Sequence, residues 1–230
     1  MANEYAVNRA DLKVVAEAIR NKSGASETLV FPNGFVDSIN AIEIEADIVD
    51  GLLQGTLSGA YYNDRVTSIR GYAFYYNKNI VKIDFPLVTE VGGNAFADCD
   101  ALLEINLPLL NKTGLNTFYG CDSLKTVYFP SLTKASASDF SSCKALETAI
   151  FEKLKSVPTG TFAGCDVLTA LILKTETVCS LASTNAFNNT PIANGTGFVY
   201  VPDNLVDSYK TATNWVTYAD QIKGISELEV

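Results

Sequence analysis

The chain has no histidine. That absence removes the commonest general base, the usual histidine-containing triads and every imidazole metal ligand. Charge is scarce too, at 19% of 230 residues, and basic charge is the scarcer kind. There are 17 Lys and Arg against 26 Asp and Glu, a net charge of −9. An acidic chain is repelled by phosphate backbones and anionic lipid, so no nucleic-acid partner is expected. Long apolar runs are missing: nothing approaches the ~18 consecutive apolar residues of a spanning helix, so no membrane insertion is expected. The N-terminus, Met1 to Val7, has no basic region followed by an apolar core, and we expect a chain made in the cytoplasm without a secretion signal. No G-x-G-x-x-G, P-loop or G-x-S-x-G motif occurs, and no two carboxylates pair in an evident apolar setting. The expectation is a protein that is not an enzyme and carries no cofactor.

Repetition is what the chain has instead. Phe74, Phe96, Phe118, Phe140 and Phe162 stand 22 residues apart. Ile80, Leu102, Leu124, Leu146 and Leu168 keep the same step, as do Ile83, Ile105, Val127, Ala149 and Leu171, and Phe85, Leu107, Phe129, Phe151 and Leu173. A fixed period of this length belongs to a leucine-rich solenoid, in which each unit buries its apolar face only by stacking on the next. The expected fold is an α/β repeat solenoid: a right-handed leucine-rich-repeat coil with short parallel β-sheets, an N-terminal helical segment and a C-terminal helical cap. Within each unit, L-x-x-L-x-L marks a strand, Pro86, Pro108 and Pro130 end it, and Val88 and Val91 suggest a second short strand opposite.

Four of the five cysteines, Cys99, Cys121, Cys143 and Cys165, occupy one repeat position. Side chains in register point the same way, which works against the torsion a disulfide prefers. With no C-x-x-C and one thiol per repeat, a tetrahedral zinc site is not expected either. The column reads as buried thiols packed against a turn, with Cys179 out of register on a loop.

The period divides the chain into four parts: residues 1–45, a helical attachment segment; 46–65, an N-terminal cap; 66–202, five regular repeats and one irregular; and 203–230, a C-terminal cap. Asn8 and Asp11 open a helix to about Lys22, and a second helix carries Phe35, Val36, Ile39 and Ile42. Thr56 to Tyr62 can form a strand over the first coil. The fourth repeat departs from the others, with Ala135, Asp139 and Ala149 in place of larger aliphatics or alanine. We expect it to be the most loosely packed. In the sixth, Phe187 and Pro202 each come three residues late. Asp203 is placed to cap a final helix holding Leu205, Val206, Tyr209 and Ala212, with Trp215, Tyr218, Ile222 and Ile225 sealing the end.

The pattern V-x-x-I/V-x-x-x-A-F-x-x-C-x-x-L-x-x-I/V-x-F/L-P resembles the BspA-like leucine-rich repeat. Gly197 to Lys210, with Asn214-Trp215 and Tyr218-Ala219, resembles the C-terminal segment often joined to such repeats. Asp11-Leu12 to Ile19-Arg20, Phe31-Pro32 and Phe35 to Ile42 resemble an N-terminal segment of phage and prophage structural proteins.

Two surfaces are candidates for function. Lys78, Asp100, Asp122, Lys144 and Asp166 form a column that reads as a calcium site or as a charge ladder, and its lysines favour the ladder. On the concave strand face, one outward column runs Asp84, Asn106, Tyr128, Ile150, Ile172 and Tyr200, and the next runs Lys82, Glu104, Thr126, Thr148, Ala170 and Phe198. Both turn apolar toward the C-terminus. Tyr128, Ile150, Ile172, Tyr200, Thr126, Thr148 and Phe198 are therefore the candidate ligand contacts. Residues of this kind also simply suit strands, or lie under the C-terminal segment. Arg65, Arg70, Tyr72, Tyr75 and Tyr76 form a second cluster. The resulting expectation is a recognition module for a protein or glycan on a bacterial or host surface, attached to a virion or to sister chains through residues 1–45. The alternative is a bacterial cell-surface or secreted adhesin. An enzyme acting on glycans would need paired carboxylates in a cleft, roughly 5–9.5 Å apart.

Overall fold

The computed structural model describes residues 59–228. The helices expected within residues 1–45, and most of the expected cap at 46–65, lie outside the described residues.

The observed structure is a coil of parallel strands. On one side lie β1 (Gly59–Tyr62), β3 (Ile80–Asp84), β5 (Glu104–Asn106), β7 (Thr126–Phe129), β8 (Thr148–Phe151), β10 (Ala170–Leu173) and β12 (Phe198–Val201), followed by β13 (Ile222–Gly224). On the other lie the two-residue strands β2 (Ser68–Ile69), β4 (Glu90–Val91), β6 (Lys112–Thr113), β9 (Ser156–Val157) and β11 (Ser180–Leu181). The register reproduces the sequence period: Lys82 pairs with Glu104, Thr126 with Thr148 and Ala149 with Leu171. The sixth strand joins in register despite its longer loops, with Ile172 opposite Tyr200 and Ala170 opposite Phe198.

Between the two strand files runs the core. Every fully repeated phenylalanine is buried, and successive rings stack nearly parallel. Their centroids lie 4.9 Å apart from Phe74 to Phe96, 5.4 Å to Phe118, 5.3 Å to Phe140, 5.6 Å to Phe162 and 5.9 Å to Phe187. A spacing slightly above the ~4.8 Å between neighbouring strands is what offset rings in register require. The backbone of the same turn is hydrogen-bonded coil to coil: Phe96 N donates to Thr117 O at 2.9 Å, and Phe118 N to Asp139 O at 2.8 Å.

The cysteine column does more than fill space. Each Sγ donates to the phenylalanine carbonyl of the preceding coil: Cys99 to Phe74, Cys121 to Phe96, Cys143 to Phe118 and Cys165 to Phe140, at 3.0–3.1 Å. Burial pushes the Cys99 thiol up to about 12 and raises Cys121 well above the ordinary thiol value. All five thiols are free and buried. The column has polar ends that its cysteines do not announce. Asn77, three residues after Phe74, accepts from Asn79 N and Ile80 N, and Thr190, three after Phe187, donates to Phe187 O at 2.7 Å.

The fourth repeat differs from expectation in kind. Asp139 is not a lost methyl group. Its carboxylate is fully buried and accepts from Ser136 N at 2.9 Å, Thr117 N at 3.2 Å and the Thr113 hydroxyl. Thr113 in turn accepts from Ser136 N at 3.1 Å, and Ser136 Oγ donates to Thr113 O at 2.8 Å. A polar clasp between coils stands where its neighbours have alanine or threonine contacts.

The last coil is followed by less helix than the expected helical cap. One α-helix, α1 (Val206–Thr211), sits among 3-10 turns, and β13 adds a final strand beside β12. Asp203 does not cap the helix. Its carboxylate instead accepts from Ser226 Oγ at 2.8 Å and Ser226 N at 3.3 Å, both in the 3-10 turn Ile225–Glu227 that follows β13. Aromatic contacts organise this region. Phe187 meets Trp215 at 5.9 Å and Tyr218 edge-on at 5.2 Å, and Tyr209 meets Trp215 at 5.5 Å. Their polar atoms are tied to the coil beneath: Trp215 Nε1 donates to Cys179 O at 2.6 Å, Cys179 N to Tyr209 Oη at 2.8 Å and Tyr218 Oη to Thr184 O at 2.6 Å. Cys179 does lie outside regular structure, but buried and bonded at both main-chain groups.

Candidate ligand-binding face

Alternation along the strands sends Ile83, Val127, Ala149 and Leu171 inward and their neighbours outward. The outward face is graded from open to closed. Thr126 is exposed and Tyr128 is 48% exposed, Thr148, Ile150 and Phe198 are half-buried, and Ile172 and Tyr200 are buried at 5% and 9%. The apolar end of the candidate column is thus interior to its own chain. Phe198 is further occupied by Lys223, whose Nζ lies 3.7 Å from the ring centroid. Of the seven sequence candidates, Thr126 and Tyr128 are exposed, Thr148, Ile150 and Phe198 offer partial surface, and Ile172 and Tyr200 are buried.

The open end has an interruption that the uniform period conceals. β3 pairs with β5 and β7 with β8, but β5 and β7 belong to different sheets. The linking main-chain bonds show the same gap. Leu103 N donates to Val81 O at 2.8 Å, Glu147 N to Lys125 O at 2.8 Å and Thr169 N to Glu147 O at 3.1 Å. Among the described residues no such bond joins Lys125 to Leu103. Ile105 shows the consequence. It is half-buried where its column mates Ile83 and Val127 are fully buried.

Over this seam lies a groove of about 650 Å³, lined by Lys82, Asp84, Leu103, Glu104, Ile105, Asn106, Lys125, Thr126 and Tyr128. Two of its charges are paired in place, Lys82 Nζ lying 2.6 Å from Glu104 Oε2, and Asn106 Nδ2 donates to Asp84 Oδ1 at 2.8 Å. Tyr128 is tethered through its hydroxyl, 2.8 Å from Glu152 Oε1. Hydrogen bonding to that carboxylate holds the phenol above its ordinary range, and therefore a donor. Asp84 and Glu104 both face the groove, but each is solvent-accessible and tied to its own partner.

The column considered for calcium is a charge ladder: Lys78 Nζ lies 2.8 Å from Asp100 Oδ2, and Lys144 Nζ 2.8 Å from Asp122 Oδ2. Among the described residues no group of three or more His, Cys, Asp or Glu is placed to hold a metal, and no helix is long and apolar enough to cross a membrane. The second cluster also forms a surface. Tyr72 and Tyr75 pack edge-on at 5.6 Å, Tyr75 and Tyr76 lie 6.1 Å apart, and Lys78 Nζ lies 4.0 Å from the Tyr76 centroid. Tyr72 and Tyr76 have φ of 64° and 62°, unusual for bulky residues. The equivalent positions in later coils hold Asn94, Asn116, Ser138 and Gly160, and Asp98, Gly120, Ser142 and Gly164.

Residues 67–194 match the profile of the BspA type leucine rich repeat region, in six copies. No curated protein matches the chain. Among solved structures, the pneumococcal vaccine antigen PcpA aligns with a TM-score of 0.59 at 19% identity, over 72% of this chain and 39% of that one. A leucine-rich repeat protein from Bacteroides ovatus gives 0.48 at 22%, over 64% and 44%, and the T. pallidum leucine-rich repeat protein gives 0.43 at 27%, over 54% and 70%. The chain thus spans less than half the length of the first two. At 19% identity the likeness to PcpA is one of fold.

Proposed function

Since the chain belongs to the BspA-type leucine-rich repeat family, we propose that it is a non-enzymatic recognition module binding a protein or glycan through the open part of its strand face. The observation that carries this reading is the groove at the β5–β7 seam, with Thr126 and Tyr128 on its rim. It is a surface with placed polar groups and an exposed aromatic ring, on a rigid scaffold. The absence of histidine and the individually partnered, solvent-accessible carboxylates support a binding rather than a catalytic role.

The finer part of the proposal concerns setting. The resemblance of residues 11–42 to phage structural proteins supports attachment to a virion through residues 1–45, with the strand face directed at a bacterial surface. The alternative is a cell-surface or secreted adhesin using the same face. Whole-cell binding by the intact protein and by a Thr126→Glu/Tyr128→Glu double variant tests the module. We expect binding to fall in the variant while its circular dichroism is unchanged; equal binding overturns the assignment of this face. Deletion of residues 1–45 tests the setting. Loss of particle association with the repeats still folded supports attachment through residues 1–45, retained association refutes that route, and an intact protein that does not associate refutes the virion.

A further inference from the structure

We propose that the ligand of the β5–β7 seam is an uncharged oligosaccharide, an assignment that rests on the recognition reading above. Three features of the groove point there. The first is its charge. It presents two lysines, Lys82 and Lys125, and two carboxylates, Asp84 and Glu104, with Lys82 already neutralised by Glu104 at 2.6 Å. With two charges of each sign the groove offers no net attraction to an acidic or basic ligand, and at Lys82 or Glu104 an ionic ligand would have to displace the existing pair.

The second feature is the spare hydrogen-bonding capacity of fixed planar groups. Asn106 uses one Nδ2 hydrogen on Asp84, leaving its amide oxygen and the other Asp84 oxygen directed by that pairing. Lys125 N–H and Leu103 C=O add main-chain groups that every neighbouring seam consumes. Hydroxyl groups, each both donor and acceptor, match such a mixture better than a charged side chain does.

The third feature is Tyr128. Its ring is exposed while its hydroxyl is held by Glu152, so its orientation is set before any ligand arrives. An ordered aromatic face beside polar groups offers C–H contact to a sugar ring and loses little conformational freedom on binding. The half-buried Ile105 forms an apolar floor between the strands. A groove of about 650 Å³ falls within the usual range for small-molecule sites of roughly 300–1,000 Å³ and leaves room for a short oligosaccharide. An extended peptide is the competing occupant. The open strand edges would suit it, but a groove with no net charge gives a charged peptide no long-range attraction.

The test presents the full chain to immobilised linear neutral oligosaccharides (glucans, mannans, galactans and N-acetylhexosamine chains), to sialylated and sulfated counterparts, and to a library of extended peptides. Binding to at least one neutral class is expected, weakened roughly tenfold or more by Tyr128→Ala, as for an anchoring aromatic residue. Asn106→Ala should also weaken it, while Lys112→Ala, on β6, should leave it unchanged. Retention only of acidic glycans or peptides overturns the proposal, as does a blank array or neutral binding indifferent to both groove substitutions. The whole-cell assay separates the two readings. Cell binding lost in Tyr128→Ala with no neutral glycan retained refutes the oligosaccharide and leaves the recognition face standing. Cell binding indifferent to the substitution refutes both.

Discussion

Asp139 makes the stability of this solenoid depend on pH in the direction opposite to most carboxylates. Burial pushes its carboxyl from the ordinary 3.8 up to about 7, against the lowering effect of the donors from Thr113, Ser136 and Thr117. The native state therefore holds a proton more firmly than the unfolded chain between those two values. The contribution to stability is complete below the unfolded value and is lost as pH rises through the folded one. The slope in that window is about 1.4 kcal/mol per pH unit, and the integrated loss from pH 5 to pH 8 is on the order of 3 kcal/mol. In a chain of 230 residues that corresponds to roughly 5–10 °C in the thermal midpoint. Asp139→Asn keeps the shape of the side chain and cannot ionise. Urea unfolding of both proteins, followed by far-ultraviolet circular dichroism at pH 5 and pH 8, isolates the carboxyl from all other titrating groups. The wild type should lose on the order of 3 kcal/mol relative to the variant across that interval. Parallel behaviour would refute the reasoning, because it would mean that the three donors keep the carboxylate ionised throughout.

Other consequences follow from the packing. A Cβ at Gly92 would lie 2.2 Å from Gly71 N, and one at Gly93 would lie 3.1 Å from Leu115 O. Gly92→Ala should therefore destabilise by about 1–3 kcal/mol or more, and Gly93→Ala by less; the reverse order in denaturant melts would contradict the coil spacing. The buried thiols, with Cys99 and Cys179 pushed up to about 12, should resist iodoacetamide at pH 8 in the native protein. They should all react in denaturant, as read by mass spectrometry; rapid native labelling at the column would disprove its burial. Trp215→Phe removes the donor to Cys179 O and should cost about 1–3 kcal/mol, measured by thermal unfolding. An unchanged midpoint would show that the end of the stack does not depend on that bond.

Much of the architecture was legible in the residues. A 22-residue step in phenylalanine, leucine and cysteine dictates one environment per column, and the stacked rings and in-register strands supply it. Register is readable at long range because a parallel coil puts residues one period apart side by side, so local spacing becomes tertiary contact. Even the irregular sixth strand kept its place, since the extra residues fell in loops.

Single substitutions within the pattern were less legible. Asp139 read as a deletion of packing because the pattern records which residue is unusual and not what lies across the coil boundary. Thr113, 26 residues earlier, turned it into a clasp. Likewise, Asp203 sits where a helix cap belongs, but Ser226 claimed its carboxylate.

The candidate face was decided furthest from the sequence. Alternation along each strand fixes which side chains point outward, and that much the residues determined alone. Whether an outward residue meets solvent depends on what other parts of the chain place above it, so Ile172 and Tyr200 became interior while Tyr128 stayed open. The break between β5 and β7 leaves no mark on a period that continues through it unchanged. Spacing along a chain specifies which coils are neighbours, whereas the gap between two neighbours is set by the packing of the whole stack.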